Sequence, residues 1–386
     1  MKQALIIGCG LSGAVIAREL AESGYYVTIL ERRDHIGGNM YDYKDSHGIL
    51  IHKYGPHTFH TQKEELYHYI CRYSDWEEYH LTCGAEINGI CTPTPFNYQT
   101  IDDFYPLEKA AKIKQEIEKE FPCQNTATVM EVLECQNKLV QEYAQFLFDN
   151  DYKLYTAKQW GIEPDRIDPS VLKRVPLRFN YDNGYFEDTF QVMPKVSFTA
   201  FFENLLSHPN IEVKLKIDAL QVLKIQNESL VYHHKTVNFP VVYTGPLDEL
   251  FNSCYGQLPY RSLRFERIHE RIDSRQNMPV VAYPQANDYI RIIEYKKLPV
   301  QNVKGTTYEI EYSLPYKAGE KQEPYYPVLT EESRKIYEQY ASLALNTNHL
   351  FVCGRLGDFQ YYNMDQALER ALKTANIIKI TENTQE

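Results

Sequence analysis

The sequence predicts an α/β protein whose main unit is a parallel sheet begun at the N-terminus, interrupted by two insertions and completed at the C-terminus. Three observations predict it. The chain opens with a strand, a glycine-rich turn and a helix; a stretch of helical composition and then alternating strand-like segments fill the middle; a strand and a helix close it.

The opening is the most specific of the three. Ala4-Leu5-Ile6-Ile7 is a short apolar run suited to a buried parallel strand, and Gly8, Gly10 and Gly13 follow it in Gly8-Cys9-Gly10-Leu11-Ser12-Gly13. Glycines at this spacing permit a tight turn, close approach of a pyrophosphate, and close packing of helix on strand. Ala14, Val15, Ala17 and Leu20 recur at roughly helical spacing, and Gly24 is placed to end that helix. Its positive N-terminal end is where a diphosphate would sit. Residues 26–30 read as a second strand. Glu31 at its end, followed by Arg32, can accept hydrogen bonds from ribose hydroxyls and would repel a 2'-phosphate. With Gly37-Gly38 just beyond, the pattern is that of a dinucleotide binder of Rossmann type, with FAD the expected cofactor.

Further along, Thr92-Pro93-Thr94-Pro95 is expected to break regular structure. Residues 106–150 carry Glu, Lys and Gln around spaced apolar residues, which predicts an inserted helical domain. Strand-like segments return at Ile211–Leu215, 230–232 and Val241–Tyr243, and alternation at 278–293 and 306–312 predicts an antiparallel sheet. Residues 350–355 read as a last buried strand entering a turn, and 365–378 as a helix that returns the chain to its first domain. The expected organisation is a discontinuous Rossmann-type FAD-binding domain (1–80, 193–250 and 340–386), a helical domain (100–192) and an antiparallel β-sheet substrate domain (81–99 and 251–339).

Composition narrows the function classes. A net charge of −11 argues against generic nucleic-acid or anionic-membrane binding, so an anionic small ligand needs a locally basic pocket. No apolar run approaches the length of a membrane span. The first strand begins at once, leaving no room for a signal peptide, and the expected location is cytoplasmic. The eight cysteines are scattered without metal-binding spacing and read as reduced packing residues. His52, His57 and His60 are dense, but no carboxylate joins them at matching spacing, and no metal is expected. Tyrosine is abundant, at 32 residues, which suits a site for a sugar or nucleotide.

Several blocks in shared order resemble the UDP-galactopyranose mutase family. They are Ile36-Gly37-Gly38-Asn39, His52-Lys53-Tyr54-Gly55-Pro56-His57-Thr58-Phe59-His60-Thr61, Tyr155-Thr156-Ala157-Lys158-Gln159-Trp160-Gly161, Lys173-Arg174-Val175-Pro176-Leu177-Arg178-Phe179, Tyr243-Thr244-Gly245-Pro246, Tyr260-Arg261-Ser262-Leu263, Glu323-Pro324-Tyr325-Tyr326-Pro327 and Gly354-Arg355-Leu356. The resemblance implies an isomerase that converts a nucleotide-linked hexopyranose, UDP-galactopyranose, to its furanose by attack of reduced flavin N5 on the anomeric carbon. It also implies an external reductant such as NAD(P)H, a homodimer, and a place in galactofuranose and cell-surface polysaccharide biosynthesis.

By the same resemblance, Arg174 and Arg291 hold the diphosphate and His60 lies beside the flavin ring as a third catalytic residue. Gly8, Gly10, Leu11, Ser12, Gly13, Glu31, Arg32, Gly38, Asn39, His57, Arg355 and Met364 bind the cofactor. Tyr155, Thr156, Trp160, Tyr185, Tyr312, Tyr361 and Asn363, with both arginines, bind substrate; Trp160 is expected on a mobile loop region. The chain departs from the family pattern on the substrate side, with Asn363 where an aspartate is usual, Asp151-Tyr152 near the nucleobase pocket, and 81–85 lacking the usual Asn and Pro. The same chemistry on dTDP-fucopyranose or UDP-N-acetylgalactopyranose is therefore the alternative. An FAD-dependent oxidoreductase is the competing reading of another class.

Overall fold

The computed structural model describes residues 2–161 and 176–384. Strand β1 (Lys2–Ile7) leads into helix α1 (Leu11–Glu22) and β2 (Tyr25–Glu31). A first insertion supplies the hairpin β3 (Cys83–Ile87) and β4 (Ile90–Thr94), then helices α2 (Leu107–Glu120), α3 (Lys138–Leu147) and α4 (Lys153–Trp160). The chain returns through α5 (Phe198–Leu206), β5 (Ile211–Leu215) and β6 (Val241–Tyr243). A second insertion supplies β7 (Tyr260–Glu270), β8 (Val280–Ala282), β9 (Arg291–Glu294), β10 (Thr306–Pro315) and β11 (Tyr326–Pro327), before β12 (Leu350–Val352) and α6 (Met364–Thr384) close the chain.

Five strands from three separate stretches form one parallel sheet in the order β5-β2-β1-β6-β12. β1 lies at its centre, and Ala4 to Ile7 are buried on both faces, which is why the run is apolar throughout rather than alternating. Ala4 and Ile6 face a core in which Ala14, Ala17 and Ala21 of α1 meet Leu368, Ala371 and Ala375 of α6. Leu5 and Ile7 face a second core with Val241, Leu247, Tyr340 and Phe359. The alanines let α1 and α6 approach closely, so both helices present their N-terminal ends toward the same edge of the sheet.

The second sheet has seven strands, in the order β11-β7-β10-β9-β8-β3-β4. It is antiparallel except where β3 meets β8, a parallel pair made by strands from different insertions. Thr92-Pro93-Thr94-Pro95 does not interrupt it as expected: β4 runs through Pro93 to Thr94. β4 is the edge strand, where a missing N–H need not cost a ladder bond. In the helical insertion, Ala110, Ile113 and Ile117 of α2 pack on Val140, Ala144 and Leu147 of α3. A π-helical turn, Phe148–Tyr152, carries α3 into α4 and buries Asp151 and Tyr152.

Asp42 joins the stretch after β2 to the returning helix. It is 2% exposed, and its carboxylate accepts from the backbone N–H groups of Phe198 (2.7 Å) and Thr199 (2.8 Å) at the start of α5. Asp42→Ala leaves two buried donors unpaired, and the expected cost is about 1–3 kcal/mol in urea unfolding. A variant as stable as the parent would show that this cap is dispensable.

Candidate active site

Strands β1, β2, β6 and β12 all end at one cleft, lined just past their ends by Gly8, Arg32, Thr244 and Gly354. This is where ligands of open parallel sheets bind. Two of the three motif glycines do different work there. A Cβ on Gly13 would run into the Gly8 carbonyl oxygen, so glycine is what lets α1 seat on β1. A Cβ on Gly10 would meet only the Gly38 Cα, at an ordinary 3.7 Å. Internal packing therefore does not demand glycine at that position, and its bare backbone lines the cleft. Leu11, Ser12 and Gly13 in the first turn of α1, and Met364 in that of α6, bring two helix N-termini to the cleft. Backbone N–H groups and dipole ends so placed fit an anionic diphosphate.

Glu31 is 5% exposed, and its carboxylate accepts from the backbone N–H groups of Cys9 (2.8 Å) and Arg33 (2.9 Å). A carboxylate has lone pairs for further donors, so Glu31 can also take ribose hydroxyls. Arg32 and Arg33 both pair with Glu323, at 2.6 and 2.8 Å, and Arg33 donates to Asn39 Oδ1 at 3.0 Å. These bonds fasten the cleft wall to the chain that leads into β11.

His57 also lines the cleft. Its Nδ1 lies 2.8 Å from the Gly55 carbonyl, which can only accept, so Nδ1 carries the proton and Nε2 is an acceptor. Burial first, then the charges of Arg355 and Arg291, lower its pKa to about 4, although the Gly55 bond opposes this. The backbone N–H of His57 donates to Nδ1 of His52 (3.0 Å), a fully buried ring that burial, and then His57, push down to about 3. Arg355 donates to the carbonyls of Tyr325 (3.3 Å) and Tyr362 (2.5 Å) and lies 4.9 Å from the Tyr361 ring centre.

A second cluster adjoins this end of the cleft. Arg291 on β9 donates from Nε to Glu311, its register partner on β10, at 2.7 Å; Glu311 is 1% exposed. Burial opposes the guanidinium's charge, but Glu311 and then Tyr155 hold its pKa above the ordinary value. Tyr155, on α4, is an electrostatic neighbour of Arg291, Glu311, Tyr185 and Tyr326, and burial raises its phenol pKa well beyond the usual range. Trp160 at the end of α4 meets Tyr326 at 5.2 Å and Tyr361 at 6.4 Å, ring centre to ring centre. The arrangement is an aromatic box around one half-buried ion pair, its carboxylate buried and its guanidinium partly exposed.

Each residue expected to hold a cofactor (Gly8, Gly10, Leu11, Ser12, Gly13, Glu31, Arg32, Gly38, Asn39, His57, Arg355 and Met364) lines the cleft. Arg291, Tyr155, Trp160 and Tyr361 meet in the second cluster. Tyr185 stands at its margin, its N–H donating to the Leu81 carbonyl (2.7 Å). Thr156 is buried on α4, and Asn363 lines the cleft just ahead of α6.

Other expectations need correction. Tyr312 is next to Glu311 on β10, and strand alternation turns it to the opposite face, with Arg264 3.6 Å over its ring and its hydroxyl donating to Glu266 (3.1 Å). Tyr326 occupies the box instead. His60 is not a cleft residue: its Nδ1 is 2.7 Å from Asp188 and its ring stacks on Phe186 at 3.6 Å, while His57 is the histidine at the cleft. Trp160 ends a helix and is 6% exposed rather than carried on a loop. Arg174 lies outside the described residues.

Sequence reasoning missed Arg33, Glu311, Glu323, Tyr325 and Tyr326. Glu309 and Glu311 alternate along a buried strand, a sign that cations face them, as Arg267 and Arg291 do. Among the described residues, no helix is long and apolar enough to cross a membrane, and no group of three or more His, Cys, Asp or Glu could hold a metal ion.

The fold and cleft define a dinucleotide-binding α/β protein of Rossmann type with an arginine–carboxylate pair among aromatic rings beside the cofactor cleft. A family model described as UDP-galactopyranose mutase matches residues 150–361, and one described as an NAD(P)-binding Rossmann-like domain matches 6–73. The chain is 37% identical to a probable UDP-galactopyranose mutase of Klebsiella pneumoniae, covering 97% of this chain and 94% of that one. It is 34% identical to the dTDP-fucopyranose mutase of Escherichia coli, covering 98% of each. A crystal structure of reduced UDP-galactopyranose mutase has the same fold, with a TM-score of 0.74 over 99% of this chain and 96% of that one, at 14% identity. The chain belongs to the UDP-galactopyranose mutase family. It is an isomerase, a nucleotide-sugar pyranose mutase, and the family's cofactor is FAD.

Two neutral histidines, His52 fully buried and His57 half-buried at the cleft, set an acid limit on the fold. Both have folded pKa values below the ordinary 6.5, so the unfolded chain binds more protons below that pH. Their contribution is complete above pH 6.5 and is lost as pH falls toward about 4 for His57 and about 3 for His52. The slope is about 1.4 kcal/mol per pH unit for each. Thermal melting between about pH 7 and pH 4.5 should show a falling midpoint, less steep in His57→Gln. Equal slopes in the two proteins would contradict the assignment.

Proposed function

We propose that this chain interconverts UDP-galactopyranose and its furanose form, with dTDP-fucopyranose or UDP-N-acetylgalactopyranose as the alternative substrates that its departures at Asn363 and Asp151 favour. The observation that carries this reading is the Arg291–Glu311 pair within reach of Tyr155, beside the end of the cleft marked by His57 and Arg355. When bound, reduced FAD supplies the nucleophile, its N5, for the anomeric carbon.

The chain's own residues hold the leaving nucleoside diphosphate. Glu311 occupies the Nε edge of Arg291, and the Nη edge of the fork is the one a diphosphate would take bidentately. Tyr155, kept protonated by burial, donates to phosphate oxygen, as do Tyr185 and Tyr361, while Trp160 and Tyr326 wall off water. Arg174 is proposed as the second diphosphate arginine, and Thr156 and Asn363 as further substrate contacts. The residues that line the cleft would hold the FAD, with its diphosphate at the N-termini of α1 and α6 and its ribose on Glu31. The cofactor unit is proposed to comprise 1–80, 193–250 and 340–386, with the helical and sheet domains as given above. A homodimer, reduction by NAD(P)H, a cytoplasmic location and a role in galactofuranose and cell-surface polysaccharide synthesis complete the proposal.

Chromatography of the dithionite-reduced protein after incubation with UDP-galactose, UDP-N-acetylgalactosamine and dTDP-fucose should reveal a furanose product from at least one. No ring-contracted product from any of the three would remove the reading, and consumption of oxygen with net oxidation of the sugar would favour the oxidoreductase. Arg291→Lys keeps a charge opposite Glu311 but loses the fork, and kcat/KM should fall by about 10²-fold with FAD absorbance unchanged. Wild-type turnover in this variant would place the diphosphate elsewhere.

A further inference from the structure

Tyr155 and Arg291 come from different insertions, so something must fix the distance between α4 and β9. Lys158 lies one turn beyond Tyr155 on α4 and reaches the loop between β8 and β9. Its Nζ donates to the carbonyls of Tyr283 (2.6 Å), Ala286 (2.8 Å) and Tyr289 (3.0 Å), and Arg291 follows almost at once. The end of α4 is also anchored behind: Arg261 donates to the carbonyls of Gln159 (3.0 Å) and Lys158 (3.3 Å), and Ser313 to that of Gln159 (2.7 Å).

We propose that Lys158 is a positioning residue for the mutase reaction, its ammonium joining the helix that carries Tyr155 to the loop that delivers Arg291. This rests on the reading that those two residues hold the diphosphate. An ammonium has three donors and no acceptor, which matches three converging carbonyls. A neutral amine has two donors and a lone pair, so deprotonation would set that pair against a carbonyl oxygen and release part of the loop. Burial lowers the pKa of Lys158 to about 8, against the carboxylates of Asp151, from the π-helical turn, and Asp288, from the loop itself. Asp151 is itself raised to about 7 by burial, with Lys158 opposing. The joint should therefore weaken in mildly alkaline solution.

The test compares FAD-loaded wild type with Lys158→Met and Lys158→Arg by amide hydrogen exchange across 283–291 and by calorimetric titration with UDP. In wild type, UDP affinity should fall by about tenfold between about pH 7 and pH 9 as the lysine deprotonates. Lys158→Met should bind UDP about 10²-fold more weakly at neutral pH, the scale of a small misplacement, and exchange faster across the loop. Lys158→Arg stays charged throughout, so its affinity should be nearly level over that pH range and close to the wild-type value at pH 7. Unchanged exchange and UDP affinity in Lys158→Met would overturn the proposal, as would an alkaline fall shared by wild type and Lys158→Arg. The exchange measurement needs no nucleotide, so a wild type that fails to bind UDP counts against the mutase reading while exchange still decides this one.

Discussion

The close seat of α1 on β1, where Gly13 faces the Gly8 carbonyl with no side chain between, is the contact on which the cleft depends. It sets the helix N-terminus beside the strand ends, and the alanines of α1 let α6 follow it. Two partial positive charges thus stand where a diphosphate would lie, placed by small residues rather than by strong bonds. Glu31 then fixes the rim, because one carboxylate accepts from Cys9 on the glycine turn and from Arg33 beyond β2.

The substrate side obeys a different constraint. Its sheet is completed only when β3 of the first insertion pairs in parallel with β8 of the second, which is how Tyr155 and Arg291 come together from distant parts of the chain. In an acidic protein three of the local cations are matched by carboxylates: Arg291 by Glu311, and Arg32 and Arg33 by Glu323. Such partly buried pairs are poor evidence of stability, since side-chain ordering and desolvation offset much of their attraction. Their value here is orientation, because a guanidinium fixed along one edge presents the other in a known direction.

What the sequence made legible follows from how local each feature is. The glycine turn, α1 and Glu31 lie within a short stretch, and their spacing alone dictates their geometry. That Tyr312 and His60 face away from the site was not legible. Each depends on which face of a strand a residue occupies, and a shift of one position reverses that face. The register of β10 is set by β7 and β9, and the strand 59–61 pairs with 190–194, so nothing near Tyr312 or His60 fixes their direction. Pro93 was misread for a related reason: only the complete sheet shows that β4 is an edge.

The same cofactor fold serves oxidases and isomerases, and the difference lies in what the protein offers at the reacting end. His57 is neutral near pH 7, with an acceptor Nε2, and the Tyr155 phenol is held protonated well above that pH. Neither has the pKa near the working pH that efficient general acid–base catalysis requires. What the cluster does offer is a guanidinium fixed along one edge and a wall of aromatic rings, which suit the proposed capture and return of a departing diphosphate. Chemistry that forms and breaks a bond at one carbon without net oxidation needs that capture more than it needs a proton shuttle. The residues here are therefore better matched to ring isomerisation than to substrate oxidation.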